Sequence, residues 1–209
     1  MSKKKKNEYV NMTRGELKDS AKKFLAGNWN KLALIVFVYF AFSFLGGVLD
    51  GLFNTQWISN VTMIILFPMI VALMAIFRNF VEGEQPEVNN LFDYYKDLGF
   101  VVKVFFASVL VGLASFLGLL LFIVPGIIVM LGFSQFMWVM LDDKELGIID
   151  ALKKSWELMN GHKMAYFVLN LSFLGWAILA VFTCGIGFIW LMPYMYVTYY
   201  LFYKKVKAS

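Results

Sequence analysis

One histidine, one cysteine and four prolines are all that this 209-residue chain has of those residue types, and each scarcity closes a class of chemistry. His162 alone excludes a metal site built on a histidine pair, and no H-E-x-x-H motif occurs. Cys184 alone cannot form an internal disulfide. The signatures of nucleophile elbows, P-loops and C-x-x-C redox pairs are missing too. Charge is lacking where it would matter most for coupled transport: Phe105 to Leu141 carries no charged side chain. Ion- and proton-coupled carriers keep an ionisable group within the membrane despite its solvation cost. That absence argues against such a carrier. No period-2 alternation of polar and apolar residues is present, which excludes a membrane β-barrel.

What is abundant is apolar surface. Hydrophobic residues make up 60% of the chain, against roughly 45–50% in soluble domains, and mean hydropathy is +0.69. A spanning helix needs about 20 apolar residues. Six segments qualify, at about 32–50, 57–77, 101–122, 126–141, 164–183 and 187–203. The expected fold is an all-α integral membrane protein, a single membrane domain over 1–209 whose six transmembrane helices form three hairpins.

The nineteen Lys and Arg residues set the expected orientation. Nine precede the first apolar segment, from Lys3 to Lys31. Arg78, Lys96 and Lys103 fall in or beside the second polar segment, and Lys144, Lys153, Lys154 and Lys163 in the third. Lys204, Lys205 and Lys207 close the chain. The short turns around Asp50–Trp57, Ile123–Gly126 and Thr183–Gly187 hold none. Basic residues near span ends stay in the cytosol, so both termini are expected there. Lys3–Lys6 begin a basic tail (1–12) rather than a cleaved signal, because the apolar run starting at Leu32 is too long for an h-region and has no small-residue cleavage site. The net charge of +5 flanks spans, which points to anionic headgroups and not to nucleic acid.

Polar segments with helical periodicity lead into the hairpins. In 13–30, Thr13 and Glu16 have the capping-box spacing; Leu17, Ala21, Phe24 and Leu25 form an apolar face with Lys18, Lys22 and Lys23 off it, as in an interfacial helix. The segment 147–163 repeats the pattern, with Ile148, Ile149, Leu152, Trp156 and Met159 against Lys153, Lys154 and Glu157. The segment 87–99 carries a third stripe through Leu91, Phe92, Tyr95 and Leu98. Sliding Lys31 onto Lys163 aligns Lys22 with Lys154, Phe24 with Trp156 and Asn28 with Asn160, which suggests a triplicated helix-plus-hairpin unit; membrane hairpins also look alike without one. Pro68 and Pro193 kink their spans, and Pro125–Gly126 marks the middle turn.

Polar residues inside the spans have two readings. Ser134, Gln135 and Asn170 line an intramembrane groove for a headgroup, or they hydrogen-bond between helices. Amides at that depth need partners in either case. Lys22, Lys23, Lys153, Lys154, His162 and Lys163 are the expected headgroup contacts. Asp142, Asp143 and Glu145 could hold a cation, but an acidic turn at a helix start needs none. Cys184 is a free thiol or the site of an intermolecular bridge, or else a small apolar residue in a tight turn. No catalytic, cofactor or metal site is expected.

The C-terminal half carries distinctive wording. Phe122–Ile123–Val124–Pro125–Gly126–Ile127–Ile128 is followed by Phe133–Ser134–Gln135, then by Ala151–Leu152–Lys153–Lys154–Ser155–Trp156–Glu157–Leu158–Met159 and Gly161–His162–Lys163. Leu171–Ser172–Phe173–Leu174–Gly175–Trp176, Gly185–Ile186–Gly187–Phe188 and Pro193–Tyr194 complete it. This text resembles the bacterial integral membrane family catalogued as domain of unknown function 975. The I-V-P-G turn before an A-L-x-x-S-W helix is also similar to the membrane domain of some glycerophosphodiester phosphodiesterases, whose catalytic barrel has no counterpart here. The resemblance implies a bacterial cytoplasmic membrane and six helices, with no catalytic residues to carry over. The expected role is non-enzymatic: organising anionic lipids or a membrane-protein partner, including a second copy, at the inner leaflet. The alternative is uncoupled transport or scrambling of a lipid or amphipathic solute through the polar groove.

Overall fold

The computed structural model describes residues 9–53, 55 and 57–209. Lys3–Lys6 of the basic tail, and Asn54 and Gln56 of the first outer turn, lie outside the described residues. Those described form helices with no strand among them: α1 (Arg14–Leu25), α2 (Trp29–Phe53), α3 (Ile58–Glu82), a 3₁₀ segment (Val88–Lys96), α4 (Leu98–Leu121), α5 (Ile123–Phe133), α6 (Phe136–Asp142), α7 (Ile148–Leu158), α8 (Lys163–Phe182) and α9 (Phe188–Ala208).

Among the described residues, five stretches are long and apolar enough to cross a membrane: α2, α3, α4, the α5–α6 stretch Ile123–Asp142, and α8. The sixth expected span, 187–203, forms α9 but is not among them. Five tyrosines and the lysines near its end lower its apolar character. α9 is instead the best-covered helix, packed by α1, α2, α3 and α8.

Local chemistry explains the helix ends. Glu16 N–H donates to Thr13 Oγ1 at 3.3 Å, and Thr13 N–H to Glu16 Oε2 at 2.6 Å, so the capping box forms as its spacing predicts. Asp50 accepts from the Ile58 and Ser59 amides at 3.0 and 2.9 Å and from the Thr55 hydroxyl at 2.9 Å. One carboxylate thus ties the end of α2 to the start of α3, satisfying free donors at the helix N-terminus. Asp97 does the same for α4 through Phe100 N–H.

The middle turn differs from its expected place. Phe122 is extended, and Pro125 and Gly126 lie inside the first turns of α5. Proline suits an early helical position, where its missing N–H would have had no partner. A Cβ on Gly118 would stand 2.9 Å from Gly126 Cα, so these two glycines let α4 and α5 pack backbone to backbone. The expected unbroken span 126–141 is interrupted after Phe133, where Ser134 and Gln135 separate α5 from α6.

The interfacial segment 13–30 turns its apolar face toward protein: Leu17, Ala21 and Leu25 are buried, and α1 packs along α9. Burial is uneven along the other helices. α2 buries Leu32, Ala33, Ile35 and Val36, α3 buries most positions between Leu66 and Val81, α4 buries Phe100, Val101, Val104 and Ala107, and α8 buries Tyr166, Leu169 and Phe173, with Ala180 nearer its other end. Beyond those stretches large side chains such as Phe44, Leu52, Ile64, Leu120, Phe122 and Phe182 are exposed. The helices therefore converge at one end. There Lys31 meets Gln85, Lys144 meets Asp97, and Lys204 meets Glu82.

Candidate functional site

Gln135 is fully buried at the break between α5 and α6. A helix interruption frees backbone groups, which are costly to leave unpaired in an apolar setting. α7 supplies the missing partner. Ser155 Oγ donates to Gly132 C=O at 3.0 Å and accepts from Gln135 N–H at 3.2 Å. The neighbouring Trp156 lies over Gly132, where a Cβ would come within 2.3 Å of the indole. Its ring also meets Phe133 at 5.2 Å between centroids and carries Lys163 Nζ at 3.6 Å. The two stretches of text, Phe133–Ser134–Gln135 and Ser155–Trp156, are thus one contact in space.

The expected groove residues are distributed as follows. Ser134 Oγ donates to Leu131 C=O at 2.8 Å and accepts from Gln135 Nε2 at 2.9 Å. Asn170 Nδ2 donates to Tyr166 C=O at 2.8 Å, and its Oδ1 accepts from Tyr199 OH at 2.9 Å. Tyr166 packs against Tyr199 and Phe202. Gln135 Oε1 is buried with no hydrogen-bond partner. None of the three residues lines any of the four main cavities.

A second assembly was not visible in the sequence. Asp142, read from the sequence as part of a cation site or a solvated acidic turn, sits at the centre of an ion network joining α3, α6 and α9. Its Oδ1 accepts from Arg78 Nε at 2.8 Å, and its Oδ2 from Tyr203 OH at 2.9 Å and from Lys207. Beside it, Glu82 Oε1 accepts from Tyr200 OH and Lys204 Nζ, each at 2.8 Å. These groups border a cavity of about 460 Å³. Their separation in sequence, 61 residues or more for the Asp142 contacts with Arg78, Tyr203 and Lys207, hides them from any local pattern. Among the described residues no group of three His, Cys, Asp or Glu could hold a metal.

The expected headgroup residues fall into separate places. Lys22 and Lys23 are exposed on α1, and Lys153 and Lys154 on α7. Lys163 stacks on Trp156. His162 Nε2 lies 3.2 Å from Ser209 Oγ; burial, with the Lys205 charge, pushes its pKa below the ordinary 6.5. Cys184 is exposed in the α8–α9 turn with φ +52°.

A third feature is a groove of about 490 Å³ between α8 and α9, walled by Trp29, Trp176, Trp190, Leu179 and Leu191. Lys22 is the one charged residue in its wall. Tyr194 closes one side, and its hydroxyl is buried without a partner.

Residues 116–209 match the family model described as Protein of unknown function (DUF975). The matched part begins near the end of α4 and takes in the helix break, the Ser155–Trp156 contact and all of α9. No curated protein and no solved structure matches the chain, so the likeness to glycerophosphodiester phosphodiesterases gains no support from these comparisons.

Proposed function

We propose that this chain is a non-enzymatic multi-pass protein of the bacterial cytoplasmic membrane that gathers anionic lipids at the inner leaflet. In this reading the chain crosses six times, α9 included, with both termini in the cytosol. The contacts that draw Lys31, Arg78, Asp97, Asp142 and Lys204 to one end of the bundle support it. So does the one-sided distribution of basic residues.

One observation carries the lipid reading. Lys153 and Lys154 stand exposed on α7 beside the exposed side chains of Ile149 and Trp156, whereas Arg78, Lys144, Lys204 and Lys207 pair with carboxylates. Basic groups next to an exposed aromatic and aliphatic surface are the make-up of a helix that meets headgroups and acyl chains together. His162, facing Ser209, takes no catalytic part.

Vesicles of mixed phosphatidylglycerol and phosphatidylcholine, with donor- and acceptor-labelled phosphatidylglycerol, test it. The protein is expected to raise energy transfer between the labelled lipids, and Lys153→Gln with Lys154→Gln to lower it by more than half. Transfer that is the same with and without protein would sink the proposal. Cysteines replacing Asn89 and Asn160 in a Cys184→Ser background test the topology: labelling of either from outside the cell overturns it.

The transport alternative draws on Gln135, whose buried Oε1 lacks a partner. It predicts lipid flux in vesicles that falls when Ser134, Gln135 and Asn170 are all replaced by Leu.

A further inference from the structure

The groove between α8 and α9 combines two features: it is concave and mostly apolar, and α1 sets Lys22 in its wall with Lys18 close by. Its volume of about 490 Å³ lies within the roughly 300–1,000 Å³ of ligand pockets. Lys18 reaches across α8, with Nζ 3.3 Å from both Ser172 C=O and Ser172 Oγ and 4.4 Å from the centre of the Phe173 ring. Lys18 and Lys22 each hold Nζ 5.9 Å from the Tyr194 ring centre. The local countercharge is small. Asp19 meets Lys22 at 3.8 Å, with both side chains more than half exposed, which is a weak pair. Among the described residues, no carboxylate comes within ion-pair distance of Lys18. Partial burial, then the nearby charges of Arg14 and Lys22, pull its pKa below the ordinary 10.5, with Asp19 opposing.

We propose that this groove is a specific site for one anionic phospholipid, its acyl chain lying against Trp176, Leu179 and Trp190 and its phosphate beside Lys22. The argument is complementarity at both ends of one molecule. An acyl chain gains van der Waals contact with the ring and aliphatic walls, and a phosphate gains from a cation at the rim. Tyr194, whose hydroxyl is buried without a partner, belongs to the same wall. A zwitterionic lipid satisfies the apolar wall, but its own headgroup cation competes for the phosphate, so it offsets the lysine charge less than an anionic lipid does. The site rests on the lipid-gathering reading above and names its ligand.

Native mass spectrometry of the full chain, released from detergent containing phosphatidylglycerol and phosphatidylcholine, tests the site. Lys22→Gln and Trp176→Ala both change exposed side chains, so the core is left intact. The wild type is expected to retain one phosphatidylglycerol in preference to phosphatidylcholine. Lys22→Gln lowers the phosphatidylglycerol-bound fraction about fivefold relative to phosphatidylcholine, and Trp176→Ala lowers both. Equal retention by all three proteins overturns the site. So does a dimer that Trp176→Ala abolishes, which would make a second copy the occupant, or an adduct that forms only after residues 2–8 are deleted. The two readings fail separately: if energy transfer between labelled lipids still depends on Lys153 and Lys154 while the adduct ignores Lys22, the groove is wrong and the lipid-gathering role stands.

Discussion

Ser155 and Gln135, twenty residues apart, share a hydrogen bond that replaces one lost from a helix ladder: Gln135 N–H donates to Ser155 Oγ at 3.2 Å. The same hydroxyl donates to Gly132 C=O at 3.0 Å. One side chain on α7 therefore satisfies both edges of the break between α5 and α6.

Removing that hydroxyl leaves two buried backbone groups unpaired. Ser155→Ala is expected to destabilise the protein by about 1–3 kcal/mol. Thermal unfolding in detergent measures it; an unchanged midpoint would show that the break does not depend on α7.

The Gly132–Trp156 contact admits no side chain. In Gly132→Ala the new methyl would overlap the indole, whose nearest atoms stand 2.3 and 2.4 Å from an ideal Cβ. Trp156 must move, at a cost of about 1–3 kcal/mol, and with it the Lys163 stacked on its face. Tryptophan emission should shift to the red. Combining Gly132→Ala with Trp156→Ala should cost less than the sum of the two single changes, because they share one contact.

Asp142 is mostly enclosed by Arg78, Tyr203 and Lys207. Asp142→Ala removes the carboxylate that Arg78 and Lys207 share, leaving Glu82, already paired with Lys204, as the nearby acid. A loss of about 2–4 kcal/mol is expected, near the range for breaking an enclosed pair and reduced by the partial exposure of Arg78 and Lys207. Replacing Asp142 by Leu together with Arg78 by Met should be milder than Asp142→Ala alone. Denaturant or thermal titration of the three proteins decides this.

His162 gives a pH dependence whose sign follows from its surroundings. Its folded pKa lies below the ordinary 6.5 through burial and the Lys205 charge. Between the folded value and 6.5 the unfolded chain binds the extra proton, so stability rises with pH in that interval. The His162 contribution is complete above about 6.5 and is lost as pH falls from there through the folded value. Unfolding midpoints measured between about pH 7.5 and 5.5 should decline on acidification, and His162→Gln should flatten the decline.

The legible and the hidden parts of this molecule divide by range in sequence. The apolar runs and the capping box of Thr13 and Glu16 depend on neighbours within a turn or a span, and both are readable before folding. The break at Ser134–Gln135 is not, since neither residue interrupts the apolar period of 123–141. Only Ser155 on another helix makes the interruption affordable in hydrogen bonds. The same holds for Asp142: acidic neighbours Asp143 and Glu145 suggest a solvated turn, while its partners come from α3 and the far end of α9. The apolar face of α1 was readable, but its target was not, because α9 with its tyrosines gives no local sign that it occupies the centre. Pro125 and Gly126 read as a turn, yet one fits the early helix and the other permits close packing.

The uneven convergence of the helices has a mechanical consequence. At the end where Asp97, Asp142 and Glu82 cross-link the elements, the bundle is stiff. At the opposite end Phe44, Ile64, Leu120 and Phe182 have little protein against them, so van der Waals contact there must come from the surrounding medium. The spread end is therefore compliant. A lateral load on the spread end meets less protein–protein contact than the same load on the clamped end.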